Sequence, residues 1–134
     1  MTAGDGSLLL DTVAFIFWHA DSPRLSAMAR SALLEAPRRT VYVSAASAFE
    51  IATKVRLGKL TVPPAILHDF AYVVEGDGFR LVDVDAASAI RAGQIDGLHR
   101  DPFDRLIAAH ALTLGAAVVT NDAAFTDLGV DVFW

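Results

Sequence analysis

The sequence predicts an α/β domain built on a mostly parallel sheet covered on both faces. Three observations carry this. Short apolar runs alternate with longer helical patterns along the chain. The stretches between successive runs have room only for crossover connections, which make neighbouring strands parallel. The first run, Leu8-Leu9-Leu10, shows no polar alternation and suits a strand buried on both sides.

The elements follow in order. Residues 7–10 read as the first strand and 13–18 as a helix. A second helix is expected over 23–35, with Ser22 as N-cap and Pro23 in the first helical position. Residues 41–43 form the second strand, and 45–57 a helix stopped by Gly58. Pro63 and Pro64 open a helix running to Glu75, ended by Gly76-Asp77-Gly78. Residues 79–84 read as a third strand and 86–95 as a short helix. The clearest amphipathic helix spans 102–114, with Gly115 as its cap. A fourth strand at 117–120, a helical turn at 123–128 and a final strand at 130–133 complete the chain.

The chain has 134 residues, which fits one domain over 1–134 with room for a proper core. Hydrophobic residues make up 54%, which argues against intrinsic disorder. The absence of cysteine excludes disulfides, zinc-thiolate sites, iron–sulfur clusters and thiol nucleophiles. The lead Met1 to Ser7 lacks a basic region of the export type, and the apolar stretch 8–18 is short and broken by Asp11. A soluble cytoplasmic protein with no membrane partner is the expectation.

In parallel sheets ligands bind beyond the carboxyl ends of the strands. Asp11 ends the first apolar run, and Asp122 follows Val118-Val119-Thr120-Asn121. Either is also a natural helix N-cap. Asp104 follows Asp101-Pro102-Phe103, so Asp101 reads as N-cap and Asp104 falls in the first helical turn, where a carboxylate is favoured. Glu50 lies among Ala45, Ala46, Ala48, Phe49, Ile51 and Ala52, a setting too apolar for a fully solvated acid. Its alternatives are a capping box with Ser47 and an ion pair with Lys54. Four acids converging at one sheet end repel one another and need a cation or protons. Oxygen donors without thiolates suit Mg²⁺ or Mn²⁺, ions that activate water and neutralise charge on a phosphodiester.

These motifs resemble the PIN-domain ribonucleases, and within them the VapC-type toxins of type II toxin–antitoxin pairs. The resemblance rests on Leu8-Leu9-Leu10-Asp11-Thr12, on the block from Val43 to Leu60 containing Phe49-Glu50-Ile51 and Gly58-Lys59-Leu60, on His99 to Ala111, and on Val119-Thr120-Asn121-Asp122. It implies a PIN-like fold with a central parallel sheet of about five strands and helices on both faces. It implies that Asp11, Glu50, Asp104 and Asp122 are the catalytic, metal-binding acids for Mg²⁺ or Mn²⁺. Thr12 and Thr120 are placed to order a metal-bound water, and Asp101 to support the metal from beside Asp104. The implied activity is endonucleolytic cleavage of an RNA substrate. The implied partners are a cognate antitoxin, which blocks the acids with a basic side chain, and a second copy in a homodimer. Val13-Ala14-Phe15 depart from the polar or small residues often seen after the first acid.

Arg100 and Arg105 bracket Asp104 and read equally as an RNA-binding rim or as solvated charge. Lys54, Arg56 and Lys59 read as structural or partner-contacting. Phe15, Phe17 and Trp18 read as core or dimer contact rather than a base-stacking platform, and His99, near the expected site, as a bare loop histidine in preference to an RNA contact. His19, His68 and His110 have no partner pattern. Two other classes remain. A phospho-accepting receiver domain needs a lysine at a late strand end, and none follows Lys59. A catalytically inert PIN-fold module binding RNA or protein would have lost acids that this chain keeps.

Taken alone, the net charge of −5 argues against a nucleic-acid partner. Four of those charges belong to the expected metal site, so the rest of the chain is close to neutral. The balance then predicts weak nonspecific RNA affinity that depends on metal and a local basic rim.

Overall fold

The computed structural model describes residues 6–134, so the first five residues of the polar lead lie outside the described part. Five strands form one sheet in the order β3-β2-β1-β4-β5. They are β1 (Leu8–Leu10), β2 (Val41–Ser44), β3 (Arg80–Val82), β4 (Ala117–Val119) and β5 (Val132–Phe133). All neighbouring pairs run parallel, with Leu10 opposite Val43 on one side and Val119 on the other. The fold is therefore the expected α/β sheet with helices on both faces.

Strand side chains alternate between two cores. Leu8, Leu10, Val41, Val43 and Val119 face helices α1 (Thr12–His19), α2 (Ala27–Leu33), α3 (Ala45–Arg56), α4 (Pro64–His68) and α5 (Phe70–Gly76). Leu9 and Val118 face α7 (Pro102–Leu114) and the 3₁₀ turn Ala123–Leu128. Helix α6 (Ala86–Gln94) packs on α7. The three leucines of β1 are completely inaccessible, as a run without alternation requires. Each contributes roughly 1.5–3 kcal/mol by leaving water.

Two helices differ from expectation. The second starts at Ala27, not Pro23, because Ser26 is the cap and accepts the Ala29 N–H at 3.0 Å. Ser22 instead accepts the Arg24 N–H in a turn that sends Leu25 into the core. The helix expected from Pro64 to Glu75 is two pieces, broken at Asp69 (φ −150°, ψ 54°). The break lets Ile66 and Val74 both reach the core. The third and last strands are shorter than read, since only Arg80–Val82 and Val132–Phe133 pair.

Phe15 is buried in the core, Trp18 packs on Phe79, and Phe17 meets Trp134. His19 pairs with Asp77 at 2.7 Å, and His110 Nδ1 lies 2.9 Å from Ser44 Oγ. Both partners are remote in sequence, which is why no local pattern revealed them. Among the described residues no helix is long and apolar enough to cross a membrane.

Candidate active site

The chain runs from β1 through β2 to β3 on one side, then returns to β4 and β5 on the other. The strand order therefore reverses beside β1, and the crevice beyond β1 and β4 is the place for a ligand. A cavity of about 410 Å³ lies there. Its lining includes Asp11, Glu50, Asp101, Asp104 and Asp122, together with Lys54.

Asp11 leaves the end of β1 with its N–H donated to the Val119 carbonyl, which extends the pairing with β4 by one residue. Its Oδ1 caps α1 by accepting the Ala14 N–H at 2.7 Å. Asp122 likewise caps the 3₁₀ turn through the Ala124 N–H at 2.9 Å. Capping and lining the cavity are thus compatible roles, because a cap needs only one carboxylate oxygen. Thr120 links the two: its hydroxyl accepts the Asp122 N–H at 3.0 Å and donates to Asp11.

Glu50 reaches the cavity from α3. Thr12, beside Asp11, hydrogen-bonds Ser47 across α1 and α3 at 2.9 Å. Ser47 lies one turn before Glu50, so this buried bond turns the Glu50 face toward Asp11. The cap of α3 is Ser44, through the Ala46 N–H, and the capping box with Ser47 does not form. The ion pair does form: Lys54 Nζ stands 2.7 Å from Glu50 Oε2. Glu50 Oε1 is buried with no hydrogen-bond partner.

Asp101 caps α7, accepting the Phe103 N–H at 2.8 Å and the Asp104 N–H at 3.1 Å. Asp104 projects from the first turn and is held by His99 Nε2 at 2.8 Å from Oδ2. Phe49 and Phe103, the chain neighbours of Glu50 and Asp104, meet edge-on with ring centroids 5.2 Å apart and bring α3 to α7.

Burial is the main charge penalty. It pushes the Asp11 carboxyl up to about 6, against the pull of Thr120 and the Ala14 N–H, and with a push from Asp104 and Glu50. Asp104 is raised too, first by burial, while His99 opposes the rise and Asp101 and Glu50 add to it. The N-termini of α1 and α7 meet the cavity and supply a partial positive field that offsets part of the repulsion. The donor set consists of hard oxygens, and the unsatisfied Glu50 oxygen is a ready ligand, so the residues fit Mg²⁺ or Mn²⁺ in chemistry. Among the described residues no three such groups already stand in the geometry of a metal site. Lys54 occupies only Oε2 of Glu50, and His99 only Oδ2 of Asp104.

Arg105 does something other than line a rim. Its guanidinium donates to the Ala92 carbonyl at 2.9 Å, the His99 carbonyl at 2.8 Å and the Ile95 carbonyl. These bonds tie the end of α6 and the segment after it, residues 92–99, to α7, so the guanidinium faces backbone rather than solvent. Arg100 is exposed and does not line the acidic cavity. Two roles were not evident from the sequence: His99 as the partner of Asp104, signalled only by its nearness in the chain, and Lys54 as part of the cavity, signalled only by its i,i+4 spacing from Glu50.

Carboxylates gathered over the switch point of a parallel sheet define the class: an α/β domain with an acidic cavity suited to hard cations or basic side chains. The chain belongs to the PIN domain family, whose model matches residues 8–130. Members of that family are generally nucleases. Its fold is similar to VapBC2 from Rickettsia felis, solved bound to a promoter DNA fragment: TM-score 0.67, 19% identity, covering 95% of this chain and 97% of that one. It is also similar to FitAB bound to the IR36 DNA fragment, with TM-score 0.65 and 22% identity over 94% of this chain and 93% of that one. FitAcB from Neisseria gonorrhoeae gives TM-score 0.65 and 23% identity over 95% of this chain and 96% of that one. No curated protein matches the chain.

Proposed function

We propose that this protein is a Mg²⁺- or Mn²⁺-dependent endoribonuclease and the VapC-type toxin of a toxin–antitoxin pair. The observation that carries the reading is the meeting of Asp11, Glu50, Asp104 and Asp122 in one cavity over the switch point of a PIN-domain sheet. A bound divalent ion supplies Lewis acidity and a water of lowered pKa for attack on a phosphodiester.

The chain's own residues perform the rest. Asp11 and Glu50, 5% and 6% exposed, present carboxylates from rigid elements with little freedom to wander. Thr120 orients Asp11 by hydrogen bond, and Thr12 fixes α1 to α3. Asp101 holds the first turn of α7 so that Asp104 projects inward. Asp122, exposed at the rim, completes the set.

A cognate antitoxin that inserts Arg or Lys among these acids would block the site, since an acidic hole without metal is a receptor for a basic group. The likeness of the fold to the VapBC2 and FitAB structures supports this partner. Homodimerisation and a cytoplasmic location belong to the same proposal. The test is incubation of the purified protein with RNA and Mg²⁺ or Mn²⁺, with EDTA and Asp11→Asn as controls. Cleavage abolished by both supports the reading. Cleavage unchanged in Asp11→Asn overturns it.

A further inference from the structure

Lys54 is the one cationic side chain among the described residues that line the acidic cavity. It extends from α3 one turn beyond Glu50, with its ammonium 2.7 Å from Glu50 Oε2. An ordinary i,i+4 pair lies on a solvated helix face and matters little. This pair differs on both sides. The Glu50 side chain is only 8% exposed, whereas that of Lys54 is 42% exposed and opens toward solvent and the cavity. Glu50 engages Lys54 through Oε2 alone, and its buried Oε1 has no partner. The ammonium is therefore held at the mouth of the cavity while the carboxylate keeps an oxygen for another ligand.

We propose that Lys54 is a substrate-binding residue that contacts a non-bridging oxygen of an RNA phosphate at the acidic site. This rests on the nuclease reading above. A phosphodiester entering a cavity lined by Asp11, Glu50, Asp101, Asp104 and Asp122 meets strong repulsion. A divalent ion offsets part of it, and a fixed ammonium at the rim offsets more. Lys has three donors, so one can remain on Glu50 while another meets a phosphate oxygen. The arginines flanking Asp104 do not supply this charge. Arg105 is committed to three carbonyls, and Arg100 lies outside the cavity. The Glu50 tether also restricts the lysine stem, which lowers the entropy lost when the phosphate binds.

The experiment measures binding of a fluorescent single-stranded RNA to the whole protein by anisotropy over a range of salt. Ca²⁺ replaces the activating ion to hold the carboxylates without turnover. Each phosphate contact by a cation contributes about 0.7 to the slope of log K against log salt for a single strand. Lys54→Gln is expected to weaken binding about tenfold and lower that slope by about 0.7, whereas Lys54→Arg keeps the slope. A Mn²⁺ titration without RNA supplies the second readout. If the role is phosphate contact, Lys54→Gln binds Mn²⁺ at least as tightly as the wild type, because a cation has left an acidic cavity. A wild-type slope in Lys54→Gln, or Mn²⁺ binding that weakens there, overturns the proposal; the latter would mean that Lys54 acts only by orienting Glu50. Wild-type protein that neither binds RNA with Ca²⁺ nor cleaves it with Mn²⁺ overturns the nuclease reading itself, and this assignment with it.

Discussion

His99 Nε2 stands 2.8 Å from Asp104 Oδ2, and the His99 carbonyl accepts from Arg105 Nη1 at the same distance. The residue after Asp104 thus holds the segment that in turn holds Asp104. This loop of contacts makes Arg105 a positioning residue. Arg105→Ala leaves three carbonyls without their donors and is expected to cost about 2–3 kcal/mol in denaturant unfolding. Arg105→Lys does not restore it, because an ammonium lacks the fork that reaches three acceptors. Unchanged stability in Arg105→Ala, with a lower salt slope for RNA binding, would return Arg105 to the rim.

The metal-free protein is predicted to lose stability as pH rises across the acid range. Asp11 has its carboxyl raised from 3.8 to about 6 by burial. The folded state therefore binds this proton more tightly than the unfolded chain does. The associated stability is fully present below pH 3.8 and is lost as pH climbs through about 6. Its size is about 3 kcal/mol, since one pH unit corresponds to about 1.4 kcal/mol. Asp104 shifts in the same direction and steepens the slope. Chemical denaturation in EDTA between pH 4 and 7 reads this out, and Asp11→Asn should flatten it.

The acids are not equivalent. Asp11 and Glu50 are buried, whereas Asp122 is exposed and caps the 3₁₀ turn. Asp11→Asn and Glu50→Gln are expected to lower the cleavage rate by about a hundredfold or more, and Asp122→Asn by about tenfold. Initial rates at saturating Mn²⁺ test the order. Equal losses at all three positions would place Asp122 in the centre of the site.

Burial at the sheet makes a stability prediction independent of function. Leu9 is inaccessible and packs against α7 and the 3₁₀ turn. Leu9→Ala should cost about 2–5 kcal/mol, read by thermal or denaturant unfolding. A loss below 1 kcal/mol would mean that the α7 layer collapses around the gap.

Much of this architecture was readable because its signals are local. Three consecutive leucines announce a strand buried on both faces, and Asp-Pro before an amphipathic run announces the start of α7. Strand ends in turn direct attention to Asp11 and Asp122. What escaped depends on distant contacts. Thr12 with Ser47, His110 with Ser44, and Arg105 with the 92–99 backbone pair residues that only the folded sheet brings together. The break at Asp69 escaped for a related reason: the apolar spacing fits one continuous helix, and the demands of the core divide it. For Glu50 the local spacing revealed the Lys54 pair, yet not that the pair sits in the cavity.

The central claim is that the carboxylates act as one unit on one reaction. The direct measurement is the RNA cleavage rate with Mn²⁺ for Asp11→Asn, Asp104→Asn and the double variant. Groups that act together lose nearly all function when either is removed, so the double variant should be no slower than the worse single one. Losses that multiply in the double variant, or a single variant that retains the wild-type rate, would contradict the account.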